Sequence, residues 1–240
     1  MSDQFSMPVK SDLTAQILAE LIRFIEKRQY EPGERLPSER ELAERFKAGR
    51  GVIREALTIL ENLRYLEKRP NSGIYMSSSP GQISLEALGL FAALGISLTS
   101  AKMAEAHEAR KLIEVQAIRL ACARRSEQDL LDIKNVLDRF RDCIEQGDGN
   151  AAELDYEFHM LIFKATGNTV LMQMVNPFYV MTSQRRAAFF ADSSRGKVSY
   201  EQHVELYECM KDQDLDKAQE IMERHIGRVE SLTHAGATES

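Results

Sequence analysis

Cysteine is scarce in this chain. Only three occur in 240 residues, Cys122, Cys143 and Cys209, widely spaced and set in helical patterns. They suit buried, reduced thiols better than a disulfide framework. Long apolar runs are absent as well. The longest uncharged apolar run, Ala87 to Ile96, is about half of the ~20 residues a membrane-spanning helix needs, and Gly89 and Gly95 interrupt it. The first residues lack the basic stretch and apolar core of a secretory signal. A cytoplasmic protein with no membrane segment is therefore expected. Nor is there a basic surplus: 31 Lys and Arg stand against 37 Asp and Glu, a net charge of −6. That balance disfavours promiscuous nucleic-acid binding.

What is present divides in two. Up to about residue 78 the elements are short and punctuated by turns. Leu13, Ile17, Leu21, Phe24 and Ile25 recur at helical spacing and predict a first helix near 11–28. Ser38 with Glu41 reads as a capping box opening a short helix through Phe46. A third helix follows from about Arg50 to Asn62, with Ile53, Ala56, Leu57 and Leu60 on one face. Two short strands then flank the turn Pro70–Gly73. This is the order of a winged helix–turn–helix over residues 8–78. Residues 79–84 read as a linker. Residues 85–234 read as an all-α antiparallel bundle of six to seven helices, near 84–95, 99–124, 127–146, 149–166, 168–191, 197–212 and 214–234, without strand-like alternation or internal repeat. The fold class expected is mostly α with a small β-hairpin wing.

Charge divides the same way. Residues 1–79 carry 13 basic and 12 acidic side chains, the remainder 18 and 25, and the span 35–69 carries 9 basic and 6 acidic. Contact with phosphate is local, so a clustered basic face suffices for DNA. If Ile53, Ala56, Leu57 and Leu60 face the core, Arg50, Gly51 and Arg54 face solvent at the start of the third helix. The first turn of a recognition helix meets base edges in the major groove, where arginine spans guanine O6 and N7. Gly49 and Gly51 let backbone approach phosphate at a helix N-terminus. Arg40 reaches the same groove from the preceding helix, and Lys68, Arg69 and Asn71 stand at the wing. Taken singly, each arginine equally suits a solvated surface.

In the helical half, polar residues stand where the pattern asks for apolar ones. Asp155 and His159 are one helical turn apart on the stripe of Phe158 and Ile162. His203 aligns with Leu206, Tyr207 and Met210, and His225 with Ala218, Met222 and Val229. A lone histidine on such a face is usually a satisfied core residue. Three with an aspartate suit a divalent metal, and zinc, nickel, iron and manganese all remain open. His107, on a mixed face, and His234, near the tail, are left outside the set.

The run Pro32-Gly-Glu-Arg-Leu-Pro-Ser-Glu-Arg-Glu-Leu-Ala-Glu-Arg-Phe46, with Val52-Ile-Arg-Glu-Ala-Leu57 and the Pro70–Gly73 wing, resembles the N-terminal domain of GntR-family bacterial transcription regulators. The resemblance covers residues ~10–76 and implies operator contacts by Arg40, Arg50 and Arg54. The helical half resembles the FCD effector domain of the FadR branch. Its markers are Glu108-Ala-Arg110 with Glu114, Asp155-Tyr-Glu-Phe-His159, Gly167-Asn168 and the two later histidines. That resemblance implies a divalent metal on Asp155, His159, His203 and His225, and a small organic or sugar acid beside it, helped by Arg110. Arg185 and Arg186 are further candidates for the acid, Arg185 being the one retained, because neighbours on one helix cannot both point inward.

A homodimeric, ligand-responsive regulator follows from these readings, binding a pseudo-palindromic double-stranded operator. Release from DNA on effector binding, and hence repression, is the expected sign. Two other classes stay open. A catalytic metal site would want a second general base, and no H-E-x-x-H, G-x-S-x-G or phosphate-binding glycine loop is present. A dimerisation module without ligand would leave the polar cluster unexplained.

Overall fold

The computed structural model describes residues 12–96, 98–147 and 149–235. The expected first-domain start at residue 8 thus lies outside the described residues. These form eleven α-helices and one two-stranded sheet, in two compact units that divide between Thr99 and Ser100. Among them no helix is long and apolar enough to cross a membrane.

The first unit opens with α1 (Asp12–Arg28), which buries Ile17, Leu18, Leu21, Ile22 and Ile25. Leu13, counted in the apolar stripe above, is half exposed instead. Helix α2 (Glu39–Phe46) begins at the expected capping box: Ser38 Oγ accepts from Glu41 N, and the Glu41 carboxylate accepts from Ser38 N at 2.8 Å. Lys47 closes it in the left-handed region. Helix α3 (Arg50–Asn62) buries Ile53, Ala56, Leu57 and Leu60 completely. Strands β1 (Leu66–Arg69) and β2 (Gly73–Met76) pair antiparallel, Leu66 with Met76 and Arg69 with Gly73. Gly73 has φ +136°, and a Cβ there would meet Arg35 Nε at 3.0 Å, so this wing position needs glycine twice over.

A single 3-10 turn (Pro80–Gln82) leads to α4 (Glu86–Ala93). The expected linker at 79–84 and domain start at 85 assign this helix to the second half. Its apolar face, Ala87, Leu90 and Phe91, joins the first core instead. Phe91 meets Tyr65 edge to face with centroids 5.1 Å apart, and Arg23 donates to Leu94 O at 3.2 Å. The reason is complementarity: one short helix cannot bury that face alone, and the first core has an open side.

The second unit is all helix: α5 (Ser100–Arg124), α6 (Glu127–Gln146), α7 (Ala151–Ala165), α8 (Thr169–Met181), α9 (Ser183–Phe190), α10 (Ser193–Asp212) and α11 (Leu215–Ala235). Its core centres on Phe140, Phe158, Ile162, Leu206, Met210 and Met222, with all three cysteines buried and free. The single helix expected over 168–191 is two. Pro177 removes one backbone donor within α8, and the Thr182 hydroxyl turns back to Phe178 O at 2.9 Å. The helical run is interrupted at Thr182, between α8 and α9. Asp192 caps α10 through Ser194 N at 3.0 Å, so that helix starts earlier than the expected residue 197.

Candidate functional site

Two groups of residues carry chemistry, one in each unit. In the first, the opening turn of α3 is exposed. Gly49 caps it with no side-chain bond to the free N–H groups, and no acidic residue lies in that turn. A Cβ built on Gly49 or Gly51 would meet nothing within 4 Å. The space beside this positive helix end is open, as an incoming phosphate would need. Arg40, Arg50 and Arg54 are all exposed. Arg40 faces Glu44 at 3.8 Å. Arg54 is held by Glu39.

At the wing, Asn71 takes φ +56° at the exposed tip. Arg69 lies over the Tyr75 ring with its guanidinium 4.0 Å from the centroid, and Lys68 pairs with Glu61 at 3.4 Å. Glu67, the residue before them in β1, accepts from Ser78 N at 2.9 Å and Ser78 Oγ at 2.7 Å, which ties β1 to the chain beyond the hairpin. Those bonds, with Arg69 beside it, hold the Glu67 carboxyl down at about 2.

In the second unit, α7, α10 and α11 bring Asp155, His159, His203 and His225 together. One ligand atom from each lies within 4.8 Å of the others, and all four side chains are buried. The Nε2 atoms of His159 and His203 each stand 3.2 Å from His225 Nε2, and Asp155 Oδ1 is 3.5 Å from His203 Nε2. The outer sides of two rings are fixed. His159 donates its Nδ1–H to Glu114 Oε2 at 2.8 Å, and His225 donates its Nδ1–H to Gln202 Oε1 at 2.9 Å. Both rings therefore present Nε2 lone pairs inward. His203 is oriented differently, by stacking on Phe158 at 3.9 Å, and its Nδ1 is buried with no hydrogen-bond partner among the described residues.

Burial, reinforced by the neighbouring imidazoles, pushes the His203 pKa well below 6.5. Burial and His159 do the same to His225. Burial also raises the Asp155 carboxyl, against the pull of His159, Arg186 and Arg110. Three ring nitrogens and a carboxylate oxygen converging in a buried space form a donor set that a cation would satisfy. Donors held ~2.1 Å from one ion stand roughly 3–3.5 Å apart, as three of the six pairs here do. The donor set fits a divalent transition metal.

A cavity of about 30 Å³ opens beside the cluster, lined by His107, Arg110, Thr182, Arg185, Arg186 and Phe189, with Asp155, His159 and His225 on its inner wall. Arg110 is buried and spends two of its nitrogens internally: Nε on Glu114 Oε1 and Nη2 on the Tyr179 hydroxyl, both at 2.8 Å. Of the adjacent arginines on α9, Arg186 is the buried one. It donates to Ala152 O at 3.1 Å and Tyr179 O at 3.2 Å, while Arg185 stays exposed at the cavity's edge.

Sequence reasoning retained Arg185 of this adjacent pair, because neighbours on one helix cannot both point inward, and periodicity gave no means of telling that Arg186 is the buried one. It also left out His107, which lines the cavity. Glu114 and Gln202 were missed as partners of the rings, though Glu114 does lie one turn from Arg110. Tyr179 gave no local signal.

Residues 13–76 match the profile of bacterial regulatory proteins of the gntR family, and residues 105–228 match the FCD domain. Helix α4 lies between the two. The Uxu operon regulator of Haemophilus influenzae is 29% identical over 145 residues, 60% of this chain; the chain spans 51% of that protein's length. The transcriptional repressor NanR of Escherichia coli is 25% identical over 232 residues, 94% of this chain and 86% of that one. A solved structure titled for Lar, which controls expression of the Listeria monocytogenes agr system, shares the fold at a TM-score of 0.64. It is 15% identical and covers 92% of this chain and 96% of its own.

Proposed function

Because the chain belongs to the GntR family of bacterial regulatory proteins and carries an FCD domain behind its DNA-binding domain, we propose that it is a homodimeric repressor released from its operator by a small carboxylic acid. It is a transcription regulator, not an enzyme. The acid, organic or sugar-derived, binds beside a divalent metal held by Asp155, His159, His203 and His225. Zinc, nickel, iron and manganese all suit that donor set. The observation that carries this reading is the convergence of three imidazoles and a carboxylate, all buried, on the wall of a cavity lined by three arginines.

The residues divide the labour as follows. Arg50 and Arg54 read base edges from the first turns of α3, while Arg40 supports them from α2 and Gly51 admits phosphate to the helix end. Lys68, Arg69 and Asn71 meet the backbone or minor groove at the wing. In the helical domain, Arg185, Arg186 and Arg110 attract the acid, and Phe189 excludes water from one side. A bound metal would supply charge and open coordination positions to an anionic oxygen. Two copies related by a two-fold axis present two recognition helices to the half-sites of a pseudo-palindrome. The acid acts only through its different affinities for the DNA-competent and DNA-incompetent dimers. NanR, whose name makes it a repressor, supports that sign. A regulator acting on DNA is expected to work in the cytoplasm.

The test has two arms on the full-length protein. Elemental analysis after purification without chelator should find about one divalent ion per chain, as one four-donor cluster requires. A screen of small carboxylates should then find compounds that release the operator fragment, and chelator should blunt their effect. A metal-free, unresponsive protein that still binds its operator would leave the helical domain a dimerisation module.

A further inference from the structure

The cavity and the histidine cluster share one buried carboxylate. Glu114 is wholly buried on α5. Its Oε1 accepts from Arg110 Nε at 2.8 Å and from the Tyr179 hydroxyl, to which Arg110 Nη2 also donates at 2.8 Å. Its Oε2 accepts from His159 Nδ1–H at 2.8 Å. Donors thus press on both oxygens at once. Only an ionised carboxylate can accept on both sides, and Arg110 cannot yield its proton. An ionised Glu114, held by Arg110, keeps a proton on His159 Nδ1 and leaves Nε2 as the ring atom that faces Asp155 and His225.

Arg110 sits at the other end of this path and lines the cavity. We propose that Glu114 is a positioning residue joining the two sites: it sets the ligating tautomer of His159, and Arg110 holds it in place. An anion that engages Arg110 then alters metal affinity, and by linkage the metal alters the anion's affinity equally. The inference rests on the metal reading above. The structure supplies its own control in Gln202, which fixes His225 at 2.9 Å but makes no hydrogen bond to Arg110 or Glu114 among the described residues.

Glu114→Gln is the informative change. A carboxamide has one acceptor oxygen, so its NH2 must face either Arg110 with Tyr179 or His159. Facing His159 is the cheaper choice, because a neutral imidazole can move its proton and arginine cannot. The proton then occupies Nε2, the ligating atom.

The experiment measures zinc affinity of the full-length protein by chelator competition, with and without acetate as the anion probe. It adds 15N spectra of the histidine rings in zinc-free protein. Glu114→Gln should weaken zinc by about 10- to 100-fold, the usual span for an outer partner of a ligand, and move the His159 proton to Nε2. Arg110→Met should also weaken zinc, and the double variant should bind no more weakly than Glu114→Gln alone. Gln202→Leu should weaken zinc yet keep the acetate dependence that Glu114→Gln abolishes.

The proposal is overturned if Glu114→Gln binds zinc as wild type does, or if the Arg110 and Glu114 effects simply add. Should the variants fail to fold, the wild-type spectrum still decides, since a His159 proton on Nε2 refutes the assignment. A wild type that binds no zinc removes the metal reading and the coupling together. A zinc-binding wild type with an unaffected Glu114→Gln removes the coupling alone.

Discussion

Arg54 donates from both Nε and Nη2 to one oxygen of Glu39, at 3.2 and 3.1 Å. The pair joins α3 to the first residue of α2, and the arginine is two-thirds exposed. So exposed a pair adds little stability, typically ~0–1 kcal/mol. Under the proposed function its effect falls on binding: Arg54 would exchange a carboxylate for a base edge or phosphate, and Glu39 would leave a negative charge near the DNA. Glu39→Gln is expected to raise affinity for random DNA and narrow the ratio of operator to random binding, as read by competition titration. An unchanged ratio would show that Glu39 does not gate Arg54.

Base reading and phosphate contact separate by their salt response. Arg50→Ala and Arg54→Ala should each cost about 1–3 kcal/mol on operator DNA and relax specificity. Lys68→Ala should weaken all sequences alike and lower the slope of log affinity against log salt by about 1. Titrations at several salt concentrations distinguish the two behaviours. Near-native operator affinity in both arginine variants refutes the recognition assignment.

Helix α4 can be assigned energetically as well as by sight. Phe91 is almost wholly buried against Tyr65 in the first core. Truncating a core phenylalanine costs about 3–5 kcal/mol, so Phe91→Ala should strongly lower the unfolding temperature of the DNA-binding unit. Calorimetry of the full chain is the measurement. If the helical unit's transition drops instead, α4 belongs to the second domain.

Acid acts on the wing through Glu67, held at about 2 by Ser78 and Arg69 against an ordinary value of 4.5. The folded value is the lower one, so the unfolded chain binds the proton more readily. This contribution is complete above about pH 4.5 and is lost as pH falls toward 2. Glu67→Gln should therefore be less stable than wild type at neutral pH, with the difference vanishing in strong acid. Parallel denaturation curves from pH 7 to 2 check it; a difference that grows on acidification contradicts it.

The cluster itself predicts a metal-dependent stability. Zinc at about a hundredfold over its dissociation constant should stabilise the protein by ~2.7 kcal/mol. His225→Ala should abolish most of that gain, because His225 Nε2 is the atom that both other imidazoles approach. Thermal unfolding with and without zinc is the readout, and an equal zinc response in His225→Ala would remove His225 from the ligand set.

Local pattern by itself determined a good deal. The Ser38–Glu41 capping box, the buried face of α3 and the one-turn spacing of Asp155 and His159 all depend on residues three or four apart, and such spacings survive in any tertiary context. The same holds for the family resemblance, which rests on contiguous motifs. Only the tertiary structure decided that α4 packs with the first core, that the helical run breaks at Thr182, that Arg186 rather than Arg185 is buried, and that Glu114 meets His159 across 45 positions. Those outcomes turn on which apolar faces and hydrogen-bonding groups meet after the helices pack, and periodicity along one helix says nothing of its neighbour.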